Sequence, residues 1–218
     1  MLVFDRVSKF YRTKGKKKTI LSEFSFNFPT DRNVGVMGKN GAGKSTLMRL
    51  MAGIEPPDGG NVYRTSRVSW PLGFSGGFNF SMTGIENIRF VSRIYGQDTE
   101  KVISYVTEFA ELGSSLRFPI KTYSSGMKAR LAFGLSMAID FDVYLIDEIT
   151  AVGDENFKKK SKAVFQDKLA RSQIVMISHS SNTIREYCDC GLLLEGDKIR
   201  FFDDVDDLLL AYTEINKR

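Results

Sequence analysis

The stretch Gly38-Lys39-Asn40-Gly41-Ala42-Gly43-Lys44-Ser45-Thr46 matches the pattern G-x-x-x-x-G-K-[ST] in full, and nothing else in the chain limits its fold so tightly. Val34 to Met37 reads as a short buried strand, and Thr46 to Met51 reads as the helix that follows. Strand, glycine loop and helix in that order predict a phosphate-binding turn. The glycines let the backbone bend sharply, so that successive N–H groups and the positive end of the helix converge on one anion. Lys44 adds a point charge for the outer phosphates. Ser45 offers its hydroxyl to a magnesium ion, which takes oxygen ligands and keeps several waters.

A length of 218 residues suits one large domain, or a domain with a small appended lobe, and 42% hydrophobic residues supply a core. The 31 basic and 26 acidic residues leave a charge of +5 that is spread along the chain, so nucleic acid is not demanded as a partner. Met1-Leu2-Val3-Phe4-Asp5-Arg6 puts charge where a signal peptide needs an apolar core. No uncharged apolar run approaches the ~20 residues of a membrane span. The expectation is a soluble protein that stays inside the cell. Cys188 and Cys190 are the only cysteines and read as reduced thiols, without the partners that a zinc site requires.

Residues 2–10 and 20–28 alternate apolar and polar, with Phe24, Phe26 and Phe28 on one face, and predict a hairpin around a basic connection. The lysines of that connection read as a solvated tip or as a contact for anionic lipid headgroups. Tyr11 is either a strand-end core residue or an aromatic that stacks on adenine. Gly53 stops the first helix, Pro56 to Gly60 form a turn, and a strand is expected near Val62 to Ser69. Trp70 to Phe80 mixes glycine with large aromatics, neither helix nor regular strand, and reads as a mobile loop that is a partner surface or a hydrophobic plug. Thr83 and Glu86 form a capping box for a helix to about Tyr95. Asp98 caps a second helix closed by Gly113, which completes a small helical lobe.

Tyr123-Ser124-Ser125-Gly126-Met127-Lys128 opens an amphipathic helix through Leu131, Leu135 and Met137. A Ser and Gly at a helix start make either a plain cap or a second anion site, and a second site invites a nucleotide held by another copy. Phe141 to Glu148 is an apolar run ending in two acids, which predicts a buried parallel strand delivering carboxylates to its C-terminal end. Asp147 there can hold magnesium through water, and Glu148 can take the proton from an attacking water. Ile174 to Ile177 predicts another such strand, ending at His179, the only histidine, which can donate to a terminal phosphate.

In this order, the phosphate loop, Ser124-Ser125-Gly126, Ile146-Asp147-Glu148 and His179 resemble the nucleotide-binding subunit of ABC transporters over nearly the whole chain. Trp70 to Phe74, Pro119 to Lys128 and Asp147 to Asp154 narrow the resemblance to the ATPase subunits of bacterial capsular polysaccharide exporters. The resemblance implies an α/β fold: a RecA-like core, a small antiparallel β lobe and a helical lobe at about 80–140 inserted in a single ATPase domain spanning 1–218. It implies ATP and Mg2+ as cofactors, held by Gly38, Asn40, Gly41, Gly43, Lys44, Ser45 and Thr46, with Asp147 serving the metal. Tyr11 would stack on adenine, Glu148 would be the general base and His179 would touch the γ-phosphate. Subunits of this kind pair head to tail, so Ser124 and Gly126 of one copy would close the site of the other, with Asp154 in the loop linking the two.

The same resemblance implies a peripheral protein on the cytoplasmic face of the inner membrane, working with a separate integral permease and binding neither nucleic acid nor the polysaccharide itself. An exporter of another cargo, such as teichoic acid, O-antigen or lipid, and a soluble non-transport ABC ATPase are the alternatives. Three departures stand out. Tyr123, Ser125 and Met127 replace the usual Leu, Gly and Gln of the signature. Ile149 replaces the proline after the catalytic acid. The loop at 70–78 lacks the usual glutamine, which shifts coupling to the aromatics of the Trp70 to Phe80 loop.

Overall fold

The computed structural model describes residues 1–13, 15–72, 77–147 and 155–217. The alternation near the start closes the expected hairpin: β1 (Leu2–Thr13) and β2 (Lys16–Asn27) pair antiparallel. Arg6 and Glu23 take positive φ, 47° and 49°, where the ladder slips. A bulge of this kind shifts the inward face by one residue. Leu2 and Phe4 therefore hand over to Val7 and Lys9 as the buried side chains of β1. Next comes β3 (Val34–Gly38), buried throughout, and then α1 (Lys44–Ala52), which ends at Gly53 in the left-handed region as expected.

The strand expected at 62–69 is two strands. β4 (Gly59–Arg64) is mostly exposed and pairs with β1 in a three-stranded sheet, whereas β5 (Val68–Pro71) buries Ser69 and Pro71 and joins a larger sheet. Different burial demands send the two halves to different partners. Trp70, read as loop, thus belongs to β5, where its ring meets Phe141 edge-on at 5.3 Å. Residues 73–76, including Phe74, lie outside the described residues.

Chain contacts divide the protein into two units: Met1–Pro71, Phe141–Ile149 and Ser172–Arg218 form one, and Leu72–Asp140 with Thr150–Arg171 form the other. In the second unit, α2 (Gly84–Ile94) starts at the expected capping box, with Thr83 accepting from the Glu86 backbone and Glu86 from that of Thr83. α3 (Thr99–Ala110) starts at Asp98 but ends before Gly113, because Glu111 already turns into the left-handed region at φ 55°. α4 (Ser125–Ala138) was expected to be amphipathic; its second half instead buries Leu131, Ala132, Gly134, Leu135, Ser136 and Met137. A helix buried on most sides has no polar face to show. α5 is Glu155–Leu169. Phe109 is the hub of this unit, with the rings of Tyr105, Phe133 and Phe157 within 5.8 Å of its own.

The first unit continues with β6 (Val143–Asp147), β7 (Gln173–Ile177), α6 (Ser181–Tyr187), β8 (Cys190–Glu195), β9 (Lys198–Phe202) and α7 (Val205–Asn216). The large sheet has the order β5-β6-β7-β3-β8-β9, parallel except for the β8–β9 hairpin. β3 therefore lies inside the sheet between β7 and β8, which explains its uninterrupted apolar run. Its core joins Val34, Val36, Leu145, Val175 and Leu192 to Leu47, Leu50 and Met51 of α1 and to Phe4 and Leu21 of the small sheet. Both cysteines are buried free thiols, as read.

Candidate nucleotide site

Parallel strands β6, β7 and β3 end together. Asp147 pairs with Ile177, and Ile177 with Val36, so these three residues form one row across the sheet. Two residues beyond the row lie Gly38, which opens the loop, and His179, which is exposed. The C-terminal edge of a parallel sheet thus gathers the loop, a carboxylate and an imidazole where ligands of such sheets bind.

The loop itself is shaped by glycines at positive φ: 153° at Gly38, 78° at Gly41 and 106° at Gly43. Gly43 has a second constraint. A Cβ there would lie 2.4 Å from Ile20 Cγ2, so β2 packs directly under the helix start. Gly43 also stands at the N-cap of α1 and supplies no side-chain cap. By contrast, α2, α3, α4, α6 and α7 are capped by Thr83, Asp98, Ser124, Ser180 and Asp204. The first N–H groups of a helix have no partner within it, and here no capping side chain takes one. That is the arrangement an anion fills. Lys44 is buried and folds back over the loop, donating to the Gly38 and Lys39 carbonyls at 2.7 and 3.1 Å. Lys18 reaches in from β2 and donates to the Gly41 carbonyl at 2.9 Å.

Ser45 is exposed in the first turn of α1, whereas Thr46 is buried. The Thr46 hydroxyl lies 3.3 Å from the Tyr11 hydroxyl and 3.2 Å from an Arg49 guanidinium nitrogen. Tyr11 packs its half-buried ring against the core and donates to both oxygens of Glu55, 2.8 and 2.9 Å away. Arg49 and Lys9 complete the cluster, each 3.0 Å from a Glu55 oxygen. Burial works against the Glu55 carboxylate, but donation from Arg49, Lys9 and Tyr11 outweighs it and holds the group below the usual carboxylate range. Burial likewise opposes the Lys9 ammonium, and its bonds to Glu55 and Asp58 still raise it.

This cluster was not read from the sequence. One trace was available: Val7, Lys9 and Tyr11 alternate, so Lys9 sits on the inward face of a strand, and a buried ammonium requires a partner. Lys18, read with the tip lysines, is instead turned onto the loop.

In the second unit, Ser124 is the N-cap of α4 and accepts from the Met127 backbone at 3.2 Å. The cap suggested at that residue is therefore present. A Cβ on Gly126 would meet only Ser124 Oγ, at 3.9 Å, so the helix start is open to approach. Tyr123, a departure from the usual signature, is buried and donates to the Ser115 carbonyl at 2.6 Å. Its hydroxyl would lie 2.6 Å from a Cβ on Gly84, so α2 must start without a side chain there. Glu148 and Asp154 lie outside the described residues.

A family profile described as ABC transporter matches residues 21–151. The chain is 45% identical over 217 residues to the ATP-binding protein BexA of Haemophilus influenzae, covering 100% of both. It is 46% identical over 215 residues to the capsule polysaccharide export ATP-binding protein CtrD of Neisseria meningitidis, covering 99% of this chain and 100% of that one. The polysialic acid transport ATP-binding protein KpsT of Escherichia coli is 45% identical over 215 residues, covering 97% and 98%. Among solved structures, the dimeric ATP-binding cassette MJ0796 bound to ADP and Pi superposes with a TM-score of 0.72 at 18% identity, covering 92% of this chain and 98% of that one. At that identity the likeness speaks for the fold.

Proposed function

The chain belongs to the ABC transporter family as an ATP-binding protein, and from that premise we propose that it hydrolyses ATP to power export of a capsular polysaccharide through a separate membrane permease. The observation that carries the ATPase reading is the start of α1: an N-terminus without a side-chain cap, wrapped by a glycine loop, with Lys44 folded over it and Asp147 at the same sheet edge. Capsule as the cargo is supported by end-to-end similarity to proteins named for capsule polysaccharide and polysialic acid export.

The loop N–H groups and Lys44 hold the β- and γ-phosphates, with Gly38, Asn40, Gly41 and Gly43 shaping the cradle and Thr46 next to it. Tyr11 is the platform for adenine. The Ser45 hydroxyl and the Asp147 carboxylate are hard oxygen donors at this edge and fit Mg2+, which neutralises phosphate charge when bound. Glu148 takes a proton from the water whose oxygen attacks the γ-phosphorus, and ADP departs as the leaving group. His179 donates to a γ-phosphate oxygen. A second copy, arranged head to tail, brings its Ser124 and Gly126 over the nucleotide and its Asp154 into the connection between the sites.

The permease lies in the inner membrane and this subunit on its cytoplasmic face; among the described residues no helix is long and apolar enough to cross a membrane. Exposed Phe80, Phe90, Ile94 and Phe118 in the second unit supply apolar side chains for such a partner. The test replaces the native copy with Glu148→Gln in the source cell. ATP binding is retained, hydrolysis falls by roughly 10²- to 10⁴-fold, and polymer accumulates in the cytoplasm. Surface polymer at normal levels, with an inactive variant in place, removes the cargo; near-normal turnover removes Glu148 as the base.

A further inference from the structure

The cluster around Glu55 joins the small sheet to the helix of the phosphate loop. Glu55 is the carboxylate at its centre, with one negative charge shared by two oxygens, and three donors converge on it: the Tyr11 hydroxyl at 2.8 and 2.9 Å, Arg49 Nε at 3.0 Å and Lys9 Nζ at 3.0 Å. Donor counting fixes the direction of each bond. A phenol carries one proton, and the carboxylate takes it. The Tyr11 oxygen is left to accept, and an Arg49 N–H donates to it across 3.1 Å while the Thr46 hydroxyl stands 3.3 Å away. The Lys9 ammonium also lies 5.6 Å from the centre of the Tyr11 ring and donates to the Pro56 carbonyl, which anchors the turn that carries Glu55.

The hydroxyl oxygen of a tyrosine lies on the axis of its second torsion, so holding it at this point fixes the first torsion, while packing of the ring against the core sets the ring plane. We propose that Glu55 is a positioning residue for the nucleotide: it holds Tyr11 by its hydroxyl in the orientation that receives the base, and through that hydroxyl sets the Thr46 side chain beside the phosphates. Base platform and phosphate loop then form one rigid piece. The inference rests on the reading of Tyr11 as the adenine platform.

The test is the ATP dependence of hydrolysis by the full chain carrying Tyr11→Ala, Tyr11→Phe, Glu55→Ala and the Tyr11→Phe/Glu55→Ala pair. Loss of base stacking in Tyr11→Ala raises KM by about tenfold or more. Glu55→Ala, and Tyr11→Phe, which removes only the hydroxyl, each raise KM by about fivefold and change kcat less. Because Glu55 acts through that hydroxyl, Glu55→Ala adds less than about twofold in the Tyr11→Phe background. A strap that only stabilises the fold lowers the melting temperature and leaves KM alone; that result in Glu55→Ala, with KM still raised in Tyr11→Ala, overturns the proposal and spares the platform. An unaltered KM in Tyr11→Ala overturns both. Should Glu55→Ala not fold, Tyr11→Phe decides, since wild-type KM in that variant overturns the positioning role.

Discussion

The Lys18 ammonium donates to the carbonyl of Gly41 across 2.9 Å, tying the second strand of the small sheet to the apex of the phosphate loop. A carbonyl at that apex presents its negative end near a site meant for phosphates, and a cation on it offsets the repulsion. Lys18 is exposed, so its effect is modest and screened by salt. Lys18→Ala should raise the ATP concentration for half-saturation by about threefold at about 50 mM salt, and the difference should shrink at about 500 mM. Equal affinity of variant and wild type at the lower salt would show that the contact is incidental.

Tyr123 is buried, and its hydroxyl donates its proton to the Ser115 carbonyl. Tyr123→Leu removes this donor and leaves that carbonyl with the Phe118 N–H, 2.9 Å away. The change therefore removes one hydrogen bond without orphaning an acceptor, a loss of about 0.5–1.5 kcal/mol. Urea unfolding should therefore show Tyr123→Leu to be less stable than wild type by roughly that amount. Gly84→Ala should destabilise as well, since its methyl would stand 2.6 Å from the same hydroxyl. Unchanged midpoints in both would remove the anchor.

What was legible in the sequence was local. The phosphate loop, the capping box at Thr83 and Glu86, and the strand ending in Asp147 each depend on residues within a few positions of one another. What was not legible depends on distant partners. Lys9, Tyr11, Arg49 and Glu55 meet only when β1 is laid beside the turn that follows α1, and no short pattern encodes that meeting. The split of 62–69 into two strands failed to register for a related reason. Thr65 to Arg67 carries no glycine or proline to mark a break, and only the competing sheets reveal it.

Acid should act through Glu55. Its carboxyl is held below the usual range because donation from Arg49, Lys9 and Tyr11 prevails over burial. A group whose value is lower in the folded than in the unfolded state contributes its full share of stability above the unfolded value, about 4.3, and loses it as pH falls through the folded one. Wild type should therefore lose more stability than Glu55→Gln between about pH 6 and about pH 3, so that their urea midpoints converge. A constant gap across that range would show that the Glu55 charge is not what the cluster stabilises.

The two thiols should be inert while the chain is folded. Burial, the larger influence, pushes Cys188 up to about 12, with the Asp189 charge adding to it. Burial also raises Cys190, to about 11, against the opposing pull of Arg32. The thiolate is the nucleophile, and an ordinary cysteine near 8.5 carries a substantial fraction of it at about pH 8. Raising the value by two or more units reduces that fraction by about a hundredfold or more, and burial bars the reagent besides. Iodoacetamide at about pH 8 should leave both residues unmodified in native protein and label both in denaturant, as read by intact mass. Rapid labelling of Cys190 in the native chain would mean that the start of β8 opens far more readily than its buried pairing with β3 requires.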